Sequence, residues 1–209
     1  MAASGQKTMQ GRRLGGRLRR LGSRFRAPRP VTDKAKWPID YAVFSENAPV
    51  QRFVSPESGT GICADLKLFH DAGGDAPLDV ATRTYAGSRQ LTLTMYAVAA
   101  SYVSLVAGVP GNLASAIRPH HRLLVDLSAQ ASRPLNVYLR LNISADDTHE
   151  VLHESFILSS GEYHAGFSLG GLDLHFGDRL SSWLDIILDA PAMSEVHINR
   201  VKLNLGSST

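Results

Sequence analysis

The chain has 209 residues, of which 44% are hydrophobic, 7% aromatic and 20% charged, and its mean hydropathy is −0.09. This composition is typical of a globular domain and excludes a protein built from spanning helices, because no run approaches the roughly 18 consecutive apolar residues that such a helix needs. The only cysteine is Cys63, so an intramolecular disulfide is excluded. A lone thiol favours a reducing compartment, and we therefore expect a cytoplasmic protein.

Charge divides the chain into two parts. Residues 1–30 carry nine basic and no acidic residues, which leaves 13 of the 22 basic and all 19 acidic residues to residues 31–209, a net charge of −6. Ala27-Pro28-Arg29-Pro30 ends the basic part, since proline cannot continue a helix and disfavours helical geometry in the residue before it. The sequence predicts a basic N-terminal arm, residues 1–30, followed by a folded domain, residues 31–209.

The arm has the pattern of a cationic amphipathic helix. Its large apolar residues are spaced i, i+4, i+7 and i+11, which places them on one helical face with arginines around the rest. Such a helix lies on anionic lipid, each basic residue adding on the order of 1 kcal/mol near the surface. Four glycines oppose helix formation, so we expect the arm to be disordered in water. The candidate membrane residues are Arg12, Arg13, Leu14, Arg17, Leu18, Arg19, Arg20, Leu21, Arg24 and Phe25.

Other uses of the arm remain open. A solvated basic segment without a dedicated partner is as consistent with the composition as a membrane anchor. An acid-free, arginine-rich segment also suits nucleic-acid phosphates or a transit peptide. The acidic domain shows no basic face interleaved with aromatic residues, which makes nucleic acid the less favoured partner.

The rest of the chain predicts an all-β fold. From Ile62 onward, short apolar runs alternate with turn residues, as in a two-sheet antiparallel β-sandwich of jelly-roll type. One of these runs contains a break in its alternation near Asn199-Arg200, which predicts a β-bulge. Short helices are expected at Leu113–Ile117 and around Phe176–Leu180. The nine predicted strands, which form a core over about residues 62–205, are Ile62–Phe69, Leu91–Val98, Tyr102–Ala107, Arg122–Ala129, Leu135–Ile143, Val151–Leu158, His164–Leu169, Ser182–Leu188 and Glu195–Leu205.

Several segments resemble a small bacterial family of unknown function. They are Leu68–Asp71, Ser104-Leu105, His121–Asp126, Leu139–Asn142 and Trp183–Met193, and they occur in matching order. The segment that begins at Trp183 is the most specific of them. The resemblance implies a cytoplasmic or membrane-peripheral protein with a sandwich like that of carbohydrate-binding modules. It brings no catalytic residues.

The sharpest catalytic motif is His149-Glu150-Val151-Leu152-His153, an H-E-x-x-H sequence. On a helix the two histidines bind Zn²⁺ on one face while the glutamate activates a bound water. Here the flanking residues predict a hairpin loop and a strand, on which the two histidines are about 13 Å apart. A zinc-dependent hydrolase is therefore only an alternative hypothesis. In it, His149 and His153 are the metal ligands and Glu150 is the catalytic residue.

A sugar-binding surface requires aromatic rings that stack on a sugar face, with polar groups nearby that bind its hydroxyls. Tyr138, Arg140 and Asn142 alternate along one predicted strand, so their side chains share a face, and they are the ligand-binding candidates. Tyr96, Tyr102 and Trp183 are further aromatic candidates, although Trp183 begins a strongly apolar strand and is expected in the core.

These observations favour a non-catalytic binding or structural protein. The leading hypothesis is a sandwich that contacts a glycan or protein partner while the arm attaches it to an anionic membrane surface, peripherally on the inner face of the membrane. No cofactor is expected, because the sequence shows no P-loop and no dinucleotide fingerprint.

Overall fold

The computed structural model describes residues 39–42, 49–73, 77–97, 99–145, 148–172 and 180–207. The basic arm, residues 1–30, lies outside the described residues. The elements are β1 Ile39–Ala42, β2 Gln51–Val54, β3 Gly61–Cys63, β4 Leu66–His70, β5 Leu78–Tyr85, β6 Ser88–Met95, β7 Tyr102–Gly108, α1 Gly111–Ala116, β8 His121–Ala145, β9 Thr148–Ser168, β10 Leu180–Asp189 and β11 Ser194–Ser207.

The strands form a curled antiparallel sheet that folds over into a sandwich of jelly-roll type. One layer has the order β2-β5-β6-β11-β8-β9, with β1 also paired to β11. The other has the order β3-β4-β7-β10-β8-β9. The predicted all-β sandwich is therefore confirmed.

The long hairpin of β8 and β9 belongs to both layers. Residues 121–131 of β8 pair with β11, whereas residues 137–145 pair with β10. The register between β8 and β9 shifts between Gln130 and Leu135, where Gln130 pairs with Ser160 and Leu135 with Leu158. Extra residues on one strand bend a ladder, so the hairpin passes from one layer to the other at this bulge.

The core lies between the layers and follows the two-residue period of the strands. On β8 the odd-numbered residues from Leu123 to Ala129 and from Leu135 to Ile143 are buried, while most of their even-numbered neighbours are more exposed. Residues Val103 and Leu105 of β7 and Leu184 of β10 supply the same inner face. Burial of these aliphatic side chains is the main favourable term in folding, and it fixes which side chains face outward.

Several local predictions are confirmed, and others are wrong. The bulge on β11 lies between Ile198 and Arg200, as predicted. The predicted strands Arg122–Ala129 and Leu135–Ile143 are parts of one strand, β8. The predicted strands Val151–Leu158 and His164–Leu169 are likewise joined in β9. Ser159-Ser160-Gly161, which falls between two predicted strands, lies inside β9.

The remaining differences concern shorter elements. Strand β5 was not predicted, and the run predicted as one strand from Ile62 is divided between β3 and β4. Helix α1 overlaps the predicted short helix at Leu113–Ile117. The second predicted helix falls on residues 176–180, of which the structure describes only Leu180, the first residue of β10. Within the described parts of the chain, no helix is long and apolar enough to cross a bilayer.

Candidate functional site

A depression of about 450 Å³ lies on the layer that contains β4, β7, β10 and β8. Three aromatic side chains of the described residues line it, namely Phe69 of β4, Tyr102 of β7 and Trp183 of β10. Val106 and Ile187 contribute apolar surface, and the polar lining consists of Ser104, Arg140 and Asp185. The site is therefore built on paired strands rather than on loops.

Strand pairing places these side chains together. Asp185 pairs with Arg140 of β8 on one side and with Val106 of β7 on the other. Ser104 likewise pairs with Ile187 of β10. Paired residues in neighbouring strands point to the same face of a sheet, so these groups face the solvent side of the layer.

Trp183 lies opposite a glycine of the neighbouring strand. It pairs with Gly108 of β7, and Asp65 lies 3.8 Å from the position that a Cβ of this glycine would take. The Trp183 side chain is half-buried and lines the depression. The prediction that Trp183 belongs to the core is therefore wrong: it lies within β10 on the opposite face from the buried Leu184.

An ion pair between a half-exposed arginine and a buried carboxylate fixes the polar side of the site. Nε of Arg140 donates to Oδ2 of Asp185 at 2.6 Å, and Nη2 of Arg140 lies 2.6 Å from the same oxygen in the ion pair. Asn142 donates through Nδ2 to the same oxygen at 3.2 Å. The Asp185 side chain is 2% exposed and that of Arg140 is 44% exposed. A buried carboxylate needs such partners, and the pair is held in one geometry before any ligand arrives.

Two polar groups at the site are left with bonding capacity. The hydrogen bonds that Asp185 accepts from described residues all end on Oδ2, which leaves the lone pairs of Oδ1. Ser104 is 4% exposed, and its Oγ has no hydrogen-bond partner among the residues that the structure describes. Buried polar atoms are normally hydrogen-bonded, so an unpartnered hydroxyl in a depression calls for an explanation.

The three predicted ligand-binding residues lie on one face of β8. Arg140 lines the depression directly. Asn142 is buried beside it and also donates to the carbonyl of Arg140 at 3.2 Å, so it holds the ion pair in place. Tyr138 pairs with Ile187, and its ring is exposed next to the depression.

Of the two other tyrosine candidates, only Tyr102 lies at this site. Its strand is held at its start by Asp71, whose carboxylate accepts hydrogen bonds from the backbone N–H of Ser101 at 2.9 Å and of Tyr102 at 3.3 Å. The hydroxyl of Ser101 donates to the same carboxylate, and mainly for this reason the pKa of Asp71 is lowered. Tyr96 lines a separate, more polar depression of about 330 Å³ on the other layer.

The zinc hydrolase alternative is wrong, because its motif lies on strand β9 rather than on a helix. His149 and His153 share a face of that strand about 13 Å apart, too far to bind one ion, and Glu150 points to the opposite face. Instead, the His149 ring stacks on Trp183 with ring centroids 5.5 Å apart. Nowhere in the described ranges do three His, Cys, Asp or Glu side chains come together as a metal site.

Sequence reasoning missed Phe69, Ser104 and Asp185. Their strands do carry a signal, since Ser104 alternates with Tyr102 and Val106 just as Asp185 alternates with Trp183 and Ile187. What the sequence does not show is that β7 and β10 are neighbours in one layer.

Comparison with known proteins identifies the family. The model of the family of unknown function DUF6478 matches residues 16–205. The chain belongs to this family. The predicted resemblance to a family of unknown function is thus confirmed, while its bacterial origin stays a prediction. Among curated proteins, none matches this DUF6478 chain.

Solved structures with a similar course of the chain include carbohydrate-binding modules. The xylan-binding CBM22-1 domain of Xyn10C from Paenibacillus barcinonensis is 9% identical, with 81% of this chain and 97% of that one covered and a TM-score of 0.46. A family 30 carbohydrate-binding module is 13% identical, with 82% and 90% covered and a TM-score of 0.46. At these values neither structure says what the DUF6478 protein binds.

Proposed function

We propose that this DUF6478 protein is a non-catalytic binding module whose ligand is a glycan held in the depression of β4, β7, β10 and β8. The observation that carries the proposal is the lining of that depression. Aromatic rings stand beside a fixed Arg140–Asp185 pair and an unpartnered hydroxyl of Ser104. A sugar has an apolar ring face and an edge of hydroxyl groups, and this lining offers a complement to both.

The physical roles of the lining residues follow from their position. Trp183, Phe69 and Tyr102 provide flat apolar surface on which a sugar ring packs and sheds water. Arg140 and Asp185 bind hydroxyl groups in an orientation that their ion pair already fixes. Because the groups sit on paired strands, little conformational entropy is lost on binding.

The proposal is tested by isothermal titration calorimetry against a panel of oligosaccharides, with Trp183→Ala as the central variant. Loss of the indole removes the largest aromatic surface of the site, so we expect the affinity for the bound oligosaccharide to fall about tenfold or more. Tyr85→Ala is the matched control, because Tyr85 is 65% exposed on β5 of the other layer. An equal loss in both variants, or no binding by the intact protein, would contradict the proposal.

We further propose that the basic arm attaches the protein to an anionic membrane surface, which would place it in the cytoplasm on the inner face of the membrane. The support is the nine basic residues of residues 1–30 together with the helical spacing of Leu14, Leu18, Leu21 and Phe25. A protein partner at the depression and nucleic acid at the arm are the competing possibilities.

A further inference from the structure

Among the described residues, the charges that line the depression cancel. Of these residues, Arg140 is the only cation in the lining and Asp185 is the only anion, and the two are bonded to each other. The carboxylate is the more buried partner, at 2% exposure of its side chain. Arg140 thus already neutralises a buried charge of the protein and is not a free guanidinium waiting for a ligand anion.

We infer that the site selects uncharged sugars with neighbouring hydroxyl groups and rejects sugars that carry a carboxylate. This inference rests on the proposed function, because it specifies the class of glycan that the same site takes. The selectivity depends on the atoms of the ion pair that remain able to bind a ligand.

The open atoms match hydroxyl groups. Oδ1 of Asp185 accepts hydrogen bonds, and the outward N–H groups of half-exposed Arg140 donate them. The Ser104 hydroxyl does both, and it lies on the strand paired with β10, diagonally across from Asp185. A sugar hydroxyl also donates and accepts, so two adjacent hydroxyls satisfy the acceptor and the donor together. A ligand carboxylate only accepts, and it leaves Oδ1 without a donor.

Electrostatics disfavours a ligand carboxylate for the same reason. It would approach the buried carboxylate of Asp185 in a partly desolvated site, where like charges repel more strongly than in water. The outward N–H groups of Arg140 could donate to such a ligand, but the positive charge of Arg140 is already neutralised by the carboxylate of Asp185 at 2.6 Å. On strand β4, which pairs with β7, Lys67 lies opposite Val106, but it is exposed and is not among the residues that line the depression.

The test compares matched ligands on the intact protein. Calorimetric titrations use oligomers of glucose, galactose and mannose beside the corresponding oligouronates, in which a carboxylate replaces each hydroxymethyl group. We expect one of the neutral oligomers to bind at least tenfold more tightly than its oligouronate. Equal or tighter binding of the oligouronate overturns the inference while leaving the proposed function standing. No binding of any oligomer overturns both.

A variant that removes the charge of Asp185 then tests whether the ion pair is the source of the selectivity against oligouronates. Asp185→Asn keeps the shape of the side chain but releases the charge of Arg140, so we expect the affinity for the oligouronate to rise on the order of tenfold. In the double variant with Arg140→Gln this gain should disappear. Asp189→Asn is the matched control, since Asp189 lies on the same strand and face but outside the lining.

Each outcome of the variant series bears on the inference. A gain for oligouronates with Asp185→Asn and none with Asp189→Asn supports it. A gain with both variants, or with neither in protein whose circular dichroism is native, overturns it. If Asp185→Asn fails to fold, the comparison of matched ligands on the intact protein still tests the inference. The intact protein could instead prefer an oligouronate and lose this preference in Lys67→Gln. In that case Lys67 of β4 would bind the ligand carboxylate, and the inference would be overturned as well.

Discussion

At the scale of single residues, Asp71 shows how one carboxylate organises the rim of the site. It accepts hydrogen bonds from Ser101 and Tyr102, where β7 begins, although it is itself exposed. Side-chain bonding from Ser101 lowers its pKa below the ordinary 3.8, which means that the folded state favours the ionised form. Asp71 therefore stabilises the fold at pH values above about 3.8, and this contribution is lost as the pH falls through the lowered value.

We predict that Asp71→Ala lowers the melting temperature at pH 7 and that the difference from the unchanged protein shrinks as the pH is lowered toward about 2.5. The measurement is thermal unfolding of both proteins across this range. Because Asp71 is exposed, the effect at pH 7 is expected to be small, in line with other exposed charge interactions. A difference that is constant with pH would show that Asp71 acts through packing and not through its charge.

The sequence predicts the roles of some site residues but not of others. The alternation of Tyr138, Arg140 and Asn142 is local, so the sequence predicts that they share a face. The partner of Arg140 is Asp185, which lies 45 positions away and on a strand whose neighbours the sequence does not specify. An ion pair of this kind depends on strand order, and no local pattern contains it.

At the scale of elements, the bend of the β8–β9 hairpin depends on Gly161. This residue pairs with Ala129 next to the register shift and has φ of +144°. Residues with a side chain rarely adopt that conformation, which is essentially restricted to glycine. No atom of the described residues lies within 4 Å of a Cβ placed there, so a substitution is opposed by backbone strain rather than by a clash.

We therefore predict that Gly161→Ala lowers the free energy of unfolding by about 1–3 kcal/mol, measured by urea denaturation. The control is Gly61→Ala on β3, where a Cβ also meets no atom of the described part of the chain within 4 Å but φ is outside the left-handed region. At Gly61 the change should be close to neutral, because alanine restricts the unfolded chain and fits the folded one. Equal losses at both positions would argue against strain at the bend.

The same hairpin explains why strand boundaries were mispredicted. Ser159-Ser160-Gly161 has turn chemistry, and turn chemistry predicts a strand end. In the structure β9 continues through this segment while its partner β8 absorbs extra residues between Gln130 and Leu135. A bulge on one strand and a glycine on the other make a bend without breaking the pairing. Local signals do not distinguish such a bend from a loop.

At the scale of the whole molecule, the charge division sets the cationic arm apart from an acidic domain. The domain carries a net charge of −6, so an anionic bilayer attracts the arm while it repels the average surface of the domain. A glycan-binding domain attached in this way would sample ligands close to the membrane. Attachment restricts the search volume and raises the effective concentration of any ligand on the same surface.

Two variants of the full chain separate membrane binding from simple charge attraction. One replaces Arg12, Arg13, Arg17, Arg19, Arg20 and Arg24 with glutamine, and the other keeps these charges but replaces Leu14, Leu18, Leu21 and Phe25 with serine. Sedimentation with anionic and neutral liposomes should show that the unchanged protein pellets only with anionic lipid and that both variants stay in the supernatant, since an amphipathic helix needs its charge and its apolar face.

A nucleic-acid partner predicts a different pattern for the same proteins. Binding to phosphates depends on the arginines and weakens steeply with salt, so the serine variant should still bind DNA while the glutamine variant does not. If the serine variant pelleted with anionic liposomes as well as the unchanged protein does, the apolar stripe would have no role in attachment. The arm would then act through its charge alone, and its choice between lipid and nucleic acid would follow from the two affinities measured at one salt concentration.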